Sequence, residues 1–174
     1  MKKRLWIALV LFLSGCHDSK LFVEGNTFCP QVQIMRDNAY LTQYVNFKET
    51  FQINLTGYEG MCYYEQDVER YRAIIRPIFK VKRLTPSDET DVRFSYYTET
   101  LKGPAADLGK KTHYLTIQIP LNQQEIEYKA PSVQVYIPSE EGGEYDVNLG
   151  IWQSPEEKLY NQRTFDINYR YIDE

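Results

Sequence analysis

The chain has 174 residues, with 20 Lys and Arg against 24 Asp and Glu and a formal net charge of −4. That length is the size of one domain and enough chain to bury a core, while the missing basic field excludes a broad nucleic-acid surface. The 15 Tyr and 8 Phe suit half-buried strands that keep a hydroxyl near water, and a tyrosine-based binding face is the second reading of the same composition.

Lys2, Lys3 and Arg4 precede an unbroken apolar run from Leu5 to Leu13. A spanning helix needs about 20 apolar residues, so this run is too short. A positive start, a short apolar stretch and a small-residue ending make a secretory signal peptide. The ending Leu13-Ser14-Gly15-Cys16 resembles the lipobox of bacterial lipoproteins. The resemblance implies a diacylglycerol on the Cys16 thiol, cleavage just before it, and acylation of the new amino group with palmitate-like chains. Residues 1–15 are then the signal peptide, 16–27 the lipidated N-terminus and linker, and 28–174 a single periplasmic β domain. One acyl chain binds a membrane with an association constant of only about 10⁴ M⁻¹, whereas two or three hold firmly. The competing reading is an ordinary signal peptide with an incidental cysteine. His17 follows Cys16, and Asp18 comes one place later. In many Gram-negative lipoproteins an Asp directly after the cysteine retains the protein in the inner membrane. The resemblance therefore implies the outer membrane, facing the periplasm, with the inner membrane as the alternative.

With Cys16 acylated, Cys29 and Cys62 remain, and an oxidising compartment pairs them as a structural disulfide. Closing a loop of roughly 33 residues constrains the unfolded chain by about 3–4 kcal/mol. A reactive thiol pair or a metal site is the alternative, but no Cys-x-x-Cys occurs, and His17 and His113 are the two histidines.

From Phe28 to Met35 the alternation of Phe28, Val32 and Ile34 predicts a first strand, with Pro30 at its start or on an edge. Arg36 to Tyr44 is ambiguous and compatible with a helical turn. Phe51, Ile53 and Leu55 alternate with Gln52, Asn54 and Thr56, as in a strand with one wet face. Gly57-Tyr58-Glu59-Gly60 predicts a turn, after which Met61 to Val68 returns with Cys62. Tyr71 to Leu84 is β-branched and interrupted by Pro77, so two strands or one bulged edge strand are expected. A loop at Thr85–Glu89 leads to a strand around Val92, Phe94 and Tyr96. A second loop, Lys102–Gly109, leads to Tyr114–Leu121. Asn122 to Lys129 reads as a polar connection, and Val133, Val135 and Ile137 form the next strand. After the acidic turn at Glu140-Glu141-Gly142-Gly143, Tyr145, Val147, Leu149 and Ile151 complete the alternation. Ser154, Pro155 and Glu157 make a capping box that starts a short helix. Phe165, Ile167, Tyr169 and Tyr171 then alternate as a possible terminal strand. The segment Gly150–Asn161, together with Cys29-Pro30 and Cys62 after a glycine turn, resembles a group of small, uncharacterised proteobacterial envelope lipoproteins, and the resemblance implies no activity.

About eight short alternating segments point to an all-β fold, an antiparallel β-sandwich of immunoglobulin- or fibronectin-like architecture with a short C-terminal helix. A small β-barrel is the alternative. Nucleophilic catalysis needs a histidine near the nucleophile; His113, beside Lys110 and Lys111, reads as a surface histidine. Glu140, Glu141, Glu144 and Asp146 around one turn read as a solvated acidic loop rather than a Ca²⁺ site, which needs 6–8 converging oxygens. Arg70, Arg72, Arg76, Lys80, Lys82 and Arg83 form a basic segment, read as a charged edge strand resisting aggregation. Facing outward, the same charges could dock on anionic lipid or glycan. The sequence thus carries no assigned catalytic residue, metal ligand or cofactor. The expected role is a membrane-anchored envelope lipoprotein whose β domain binds or scaffolds another envelope component without catalysis. Its expected partners are membrane lipid, through acylated Cys16, and an envelope protein, with no nucleic acid. The alternatives are a cell-wall or glycan-active enzyme with paired carboxylates and a surface ligand-binding module.

Overall fold

In a computed structural model of the chain, residues 22–23, 29–45, 48–86, 88–102, 106–138 and 145–170 are described. In chain order they form β1 (Phe22–Val23), β2 (Gln31–Ile34), β3 (Tyr40–Val45), β4 (Lys48–Glu65), β5 (Arg70–Arg83), β6 (Asp91–Lys102), β7 (Ala106–Gln118), β8 (Glu125–Lys129), β9 (Val133–Pro138), β10 (Tyr145–Ile151) and α1 (Pro155–Arg170). Short 3-10 turns sit at Arg36–Asn38 and Gln66–Val68. One sheet holds β1, β3, β4, β5, β8 and β9; the other runs in the order β2-β10-β6-β7. Among the described residues neither sheet closes into a barrel, so the fold is an all-β sandwich with a short C-terminal helix. Most pairings are antiparallel, but β1 with β4 and β2 with β10 are parallel.

The spine of the larger sheet is the hairpin of β4 and β5, 18 and 14 residues long. Shorter strands divide each flank. β3 and β1 pair with the two ends of β4, and β8 and β9 with the two halves of β5. The expected turn at Gly57–Gly60 is absent: β4 runs straight through it. Gly57 instead borders a β-bulge at Leu55/Gly57, a common use of glycine inside a strand. The reversal comes at Gln66–Val68, closed by Glu69 in a left-handed conformation with φ 47°. Pro77 does not split β5, and β5 is central rather than an edge. Pro77 pairs with Tyr58 beside the bulge, and its carbonyl accepts from Ala130 N (2.9 Å) at the joint between β8 and β9. The donor that proline lacks therefore falls where neither β8 nor β9 is in register.

Other boundaries shift for similar reasons. Residues 22–23, expected in the linker, pair with Met61 and Cys62. Arg36–Tyr44 resolves into a 3-10 turn and then β3. The expected loops at Lys102–Gly109 and Asn122–Lys129 shrink, because β6 reaches Lys102, β7 starts at Ala106 and β8 starts at Glu125. The expected terminal strand at Thr164–Ile172 is overturned, since α1 continues to Arg170. Once a capped first turn exists, each added residue extends a helix at little cost, and that outweighs a period-two pattern.

The core is the meeting of the two inward faces. Ile53, Ile75, Phe79 and Val81 from the larger sheet, and Val92, Ile117, Val147 and Leu149 from the smaller, are fully buried. Phe79 lies between them, with Phe94 at 5.0 Å and Tyr96 at 5.3 Å across the interface. Cys29, just before β2, and Cys62, on β4, are joined with their Cα atoms 6.1 Å apart, so this pair links the two sheets. Tyr58 adds a polar link between the sheets, its hydroxyl donating to Val32 O at 3.2 Å.

Candidate functional site

A cleft of about 410 Å³ opens where β3, the start of β4, the segment before β6, and α1 converge. Gln43, Tyr44, Thr50, Glu89, Asp91, Arg93 and Glu157 line it. A bulge between Gln43 and Tyr44 turns these neighbours out of simple alternation. Gln43 then reaches across the sandwich, its Nε2 donating to Arg93 O at 2.6 Å, while Thr50 Oγ1 donates to Gln43 O at 3.2 Å. Asp91 and Arg93, two apart on β6, share the outer face and pair at 3.6 Å. Glu157 is set by the capping box. Ser154 N donates to Glu157 Oε2 at 2.7 Å, and Glu157 N to Ser154 Oγ at 3.2 Å.

Behind the cleft, Tyr44 and Tyr160 pack edge to face with ring centres 5.0 Å apart, and the Tyr160 hydroxyl donates to Glu49. The Tyr44 hydroxyl is held far above the ordinary tyrosine value. Loss of solvent is the first cause, followed by its hydrogen bond to Tyr160 and the charges of Glu49 and Glu157. At physiological pH it is a neutral hydroxyl on an aromatic wall, facing carboxylates and a guanidinium. Planar polar side chains, hydroxyls and one ring around an open cavity suit a ligand rich in hydroxyl or amino groups.

The residues singled out in the sequence lie elsewhere. Cys16, His17, Glu140, Glu141 and Glu144 fall outside the described residues. Asp146 is half-buried on β10. Among the described residues no group of three or more His, Cys, Asp or Glu side chains is arranged to hold a metal, and no helix is long and apolar enough to cross a membrane. His113 is not a plain surface histidine. It faces inward, stacks on Tyr96 at 4.8 Å and lies 3.1 Å from Thr98 Oγ1. Burial first, then Lys111, lowers its affinity for a proton.

The basic segment divides by strand alternation. Arg83 turns inward, and its guanidinium donates to Glu89 O (2.7 Å) and Ile119 O (3.2 Å). Arg70, Arg72, Arg76, Lys80 and Lys82 occupy the outward row of β5. They are not edge protection, because β5 is paired on both sides. Flanking strands supply counter-charges: Glu65 meets Arg70 (2.6 Å) and Arg72 (3.0 Å), Glu125 meets Lys80 (2.8 Å), and Glu59 meets Arg76 (3.9 Å) and Lys129.

On the outer face of the smaller sheet, Tyr97 lies across Gly150, with Lys110 Nζ 3.5 Å from its ring centre and Trp152 edge-on at 6.0 Å. Burial and then Glu99 push the Tyr97 hydroxyl up to about 12. The cleft residues had no sequence signal as a set, since they come from four separate elements; only Glu157 was marked, as half of the capping box. Comparison with protein-family models, characterised proteins and solved structures finds no match.

Proposed function

We propose that the chain is an exported, lipid-anchored envelope protein whose β domain binds another envelope component without transforming it. The resemblance of Leu13–Cys16 to a lipobox supports the anchor, and His17 rather than Asp after Cys16 supports the outer membrane, facing the periplasm. The pairing of Cys29 with Cys62 suits an oxidising compartment. The observation that carries the binding role is the open, mixed-charge cleft at Gln43, Tyr44, Asp91, Arg93 and Glu157.

The test is a photocrosslinker at Gln43 of the full chain in its native host, with a second at Val68, which is 55% exposed at the reversal between β4 and β5, the far end of β4 from Thr50. A discrete adduct from Gln43 and no protein adduct from Val68 is the expected result. Indistinguishable smears from both would reject the cleft as the binding site.

A glycan-active enzyme is the second reading, favoured by one observation: Glu89, Asp91 and Glu157 line the same cavity. Release of soluble fragments from purified cell wall, lost in Asp91→Asn and Glu157→Gln, would displace the binding role.

A further inference from the structure

We infer that the outer face of the larger sheet, at the end bearing Met61, Tyr63, Arg70, Arg72 and Tyr136, docks against the surface of an anionic phospholipid bilayer. The inference rests on the lipid-anchored reading above and adds which side of the domain meets the membrane.

The first argument is tether length. Five residues lie between Cys16 and Phe22, which stands in register with Met61 on β4. The six steps from Cys16 to Phe22 reach at most about 22 Å. A domain of about 150 residues has a radius of gyration near 15 Å and is wider than that tether. An acyl group on Cys16 therefore keeps the neighbourhood of Met61 close to the lipid, and the domain cannot turn its opposite side to the bilayer.

The second argument is what that neighbourhood displays. In a strand, paired residues share a face. Met61 pairs with Ile74 and Tyr63 with Arg72 across β4 and β5; Ile74 pairs with Gln134 and Arg72 with Tyr136 across β9. Cys62 and Ala73 point into the core, so these pairs point out. Met61 is 54% exposed and Tyr136 45%, and Val68, on the adjoining turn, is 55% exposed. Arg70 lies over the Tyr136 ring at 4.1 Å and Arg72 over Tyr63 at 4.4 Å. Amphipathic tyrosines and long-stemmed arginines suit a boundary that is wet on one side and apolar on the other.

The third argument is charge. The outward row of β5 holds Arg70, Arg72, Arg76, Lys80 and Lys82 and no carboxylate. With Lys129 added, these outnumber the flanking Glu59, Glu65, Glu125 and Glu127. That surplus is spread along the whole strand. At the docking end Arg70, Arg72 and Arg76 meet Glu59 and Glu65, with Asp67 and Glu69 on the adjoining turn. The attraction there is therefore local, from guanidinium groups over tyrosine rings that can reach lipid phosphates.

The experiment uses the full chain purified from its host and reconstituted in vesicles of phosphatidylethanolamine and phosphatidylglycerol, with brominated phospholipid as the quencher. Tryptophan is placed at Met61→Trp, at Tyr136→Trp, and at Tyr114→Trp as the control. Trp152 is common to all three and sets the background. Quenching at positions 61 and 136 at least twice that at 114 is expected, falling toward the control in Arg70→Gln/Arg72→Gln/Arg76→Gln. Positions 61, 114 and 136 are exposed, and circular dichroism verifies folding of every variant.

Mass spectrometry of the N-terminal peptide separates the two levels. An unacylated chain ends the anchoring reading. An acylated chain with equal quenching at all three positions overturns the docking face and leaves the anchor standing. Shielding of position 61 in native membranes but not in lipid vesicles would give the face to a protein partner and likewise overturn the inference.

Discussion

Gly150→Ala tests how the smaller sheet is closed on its outer side. A Cβ at position 150 would sit 2.5 Å from Tyr97 Oη, 2.6 Å from its Cζ and 2.8 Å from Asn38 Cβ, where ordinary contact begins at 3.4 Å. Tyr97 faces Gly150 directly across β6 and β10 and is only 4% exposed. Relief therefore means swinging the ring outward. If about 100 Å² of ring returns to water, the loss is about 2.5 kcal/mol at 25 cal/mol per Å². Separation from Lys110 removes about 0.5–1 kcal/mol more. Replacing a strand glycine recovers about 0.5–1 kcal/mol. The net expectation is a destabilisation of about 2–3 kcal/mol, within the usual range for overpacking. Urea unfolding of wild type, Gly150→Ala, Tyr97→Ala and the double variant forms a cycle. In the Tyr97→Ala background the Gly150→Ala penalty should fall to about 1 kcal/mol or less, what remains being the contact with Asn38. A penalty below about 0.5 kcal/mol in wild type, or equal penalties in both backgrounds, would refute the reasoning.

Three further outcomes are expected. Ser154→Ala should loosen the start of α1 by about 1 kcal/mol, read as faster amide exchange at Glu157 and Lys158, while Ser154→Asp keeps protection; unchanged exchange in the alanine variant would remove the cap's role. Cys29→Ser with Cys62→Ser should cost about 3–4 kcal/mol in urea unfolding, and a loss under about 1 kcal/mol would show that the link adds little beyond packing. Because His113 holds a proton less readily folded than unfolded, the unfolded chain gains the proton first as pH falls below about 6.5, so stability drops there and is flat above. Wild type should therefore lose ground to His113→Gln between pH 7 and 5, and parallel pH profiles would contradict the assignment.

The fold class was legible because inward residues alternate: Phe51, Ile53 and Leu55, then Val92, Phe94 and Tyr96, each mark a buried face. The capping box at Ser154–Glu157 was legible because its chemistry is local. Strand ends were not. Glycine at 57 serves a bulge as well as a turn, and proline at 77 is tolerated in a central strand when its missing donor meets a joint. Both outcomes depend on partner strands that local pattern does not name. The cleft was illegible for the same reason. Gln43, Arg93 and Glu157 are brought together by sheet packing and helix docking, and none carries a spacing rule. Arg83 shows the limit within one strand: it belongs to the basic segment by sequence but lies inward by alternation.

The Cys29–Cys62 link also sets how the molecule bears tension. A pull on the segment before Cys29 passes to β4 through the pairing of β1 and through the sulfur atoms, bypassing β2, β3 and the first part of β4. Those strands carry no load while the link is closed. Reduction would put them in the path and release roughly 32 residues of slack, about 110 Å when extended. The cystine is a mechanical fuse, and single-molecule stretching with and without reductant would show its length directly.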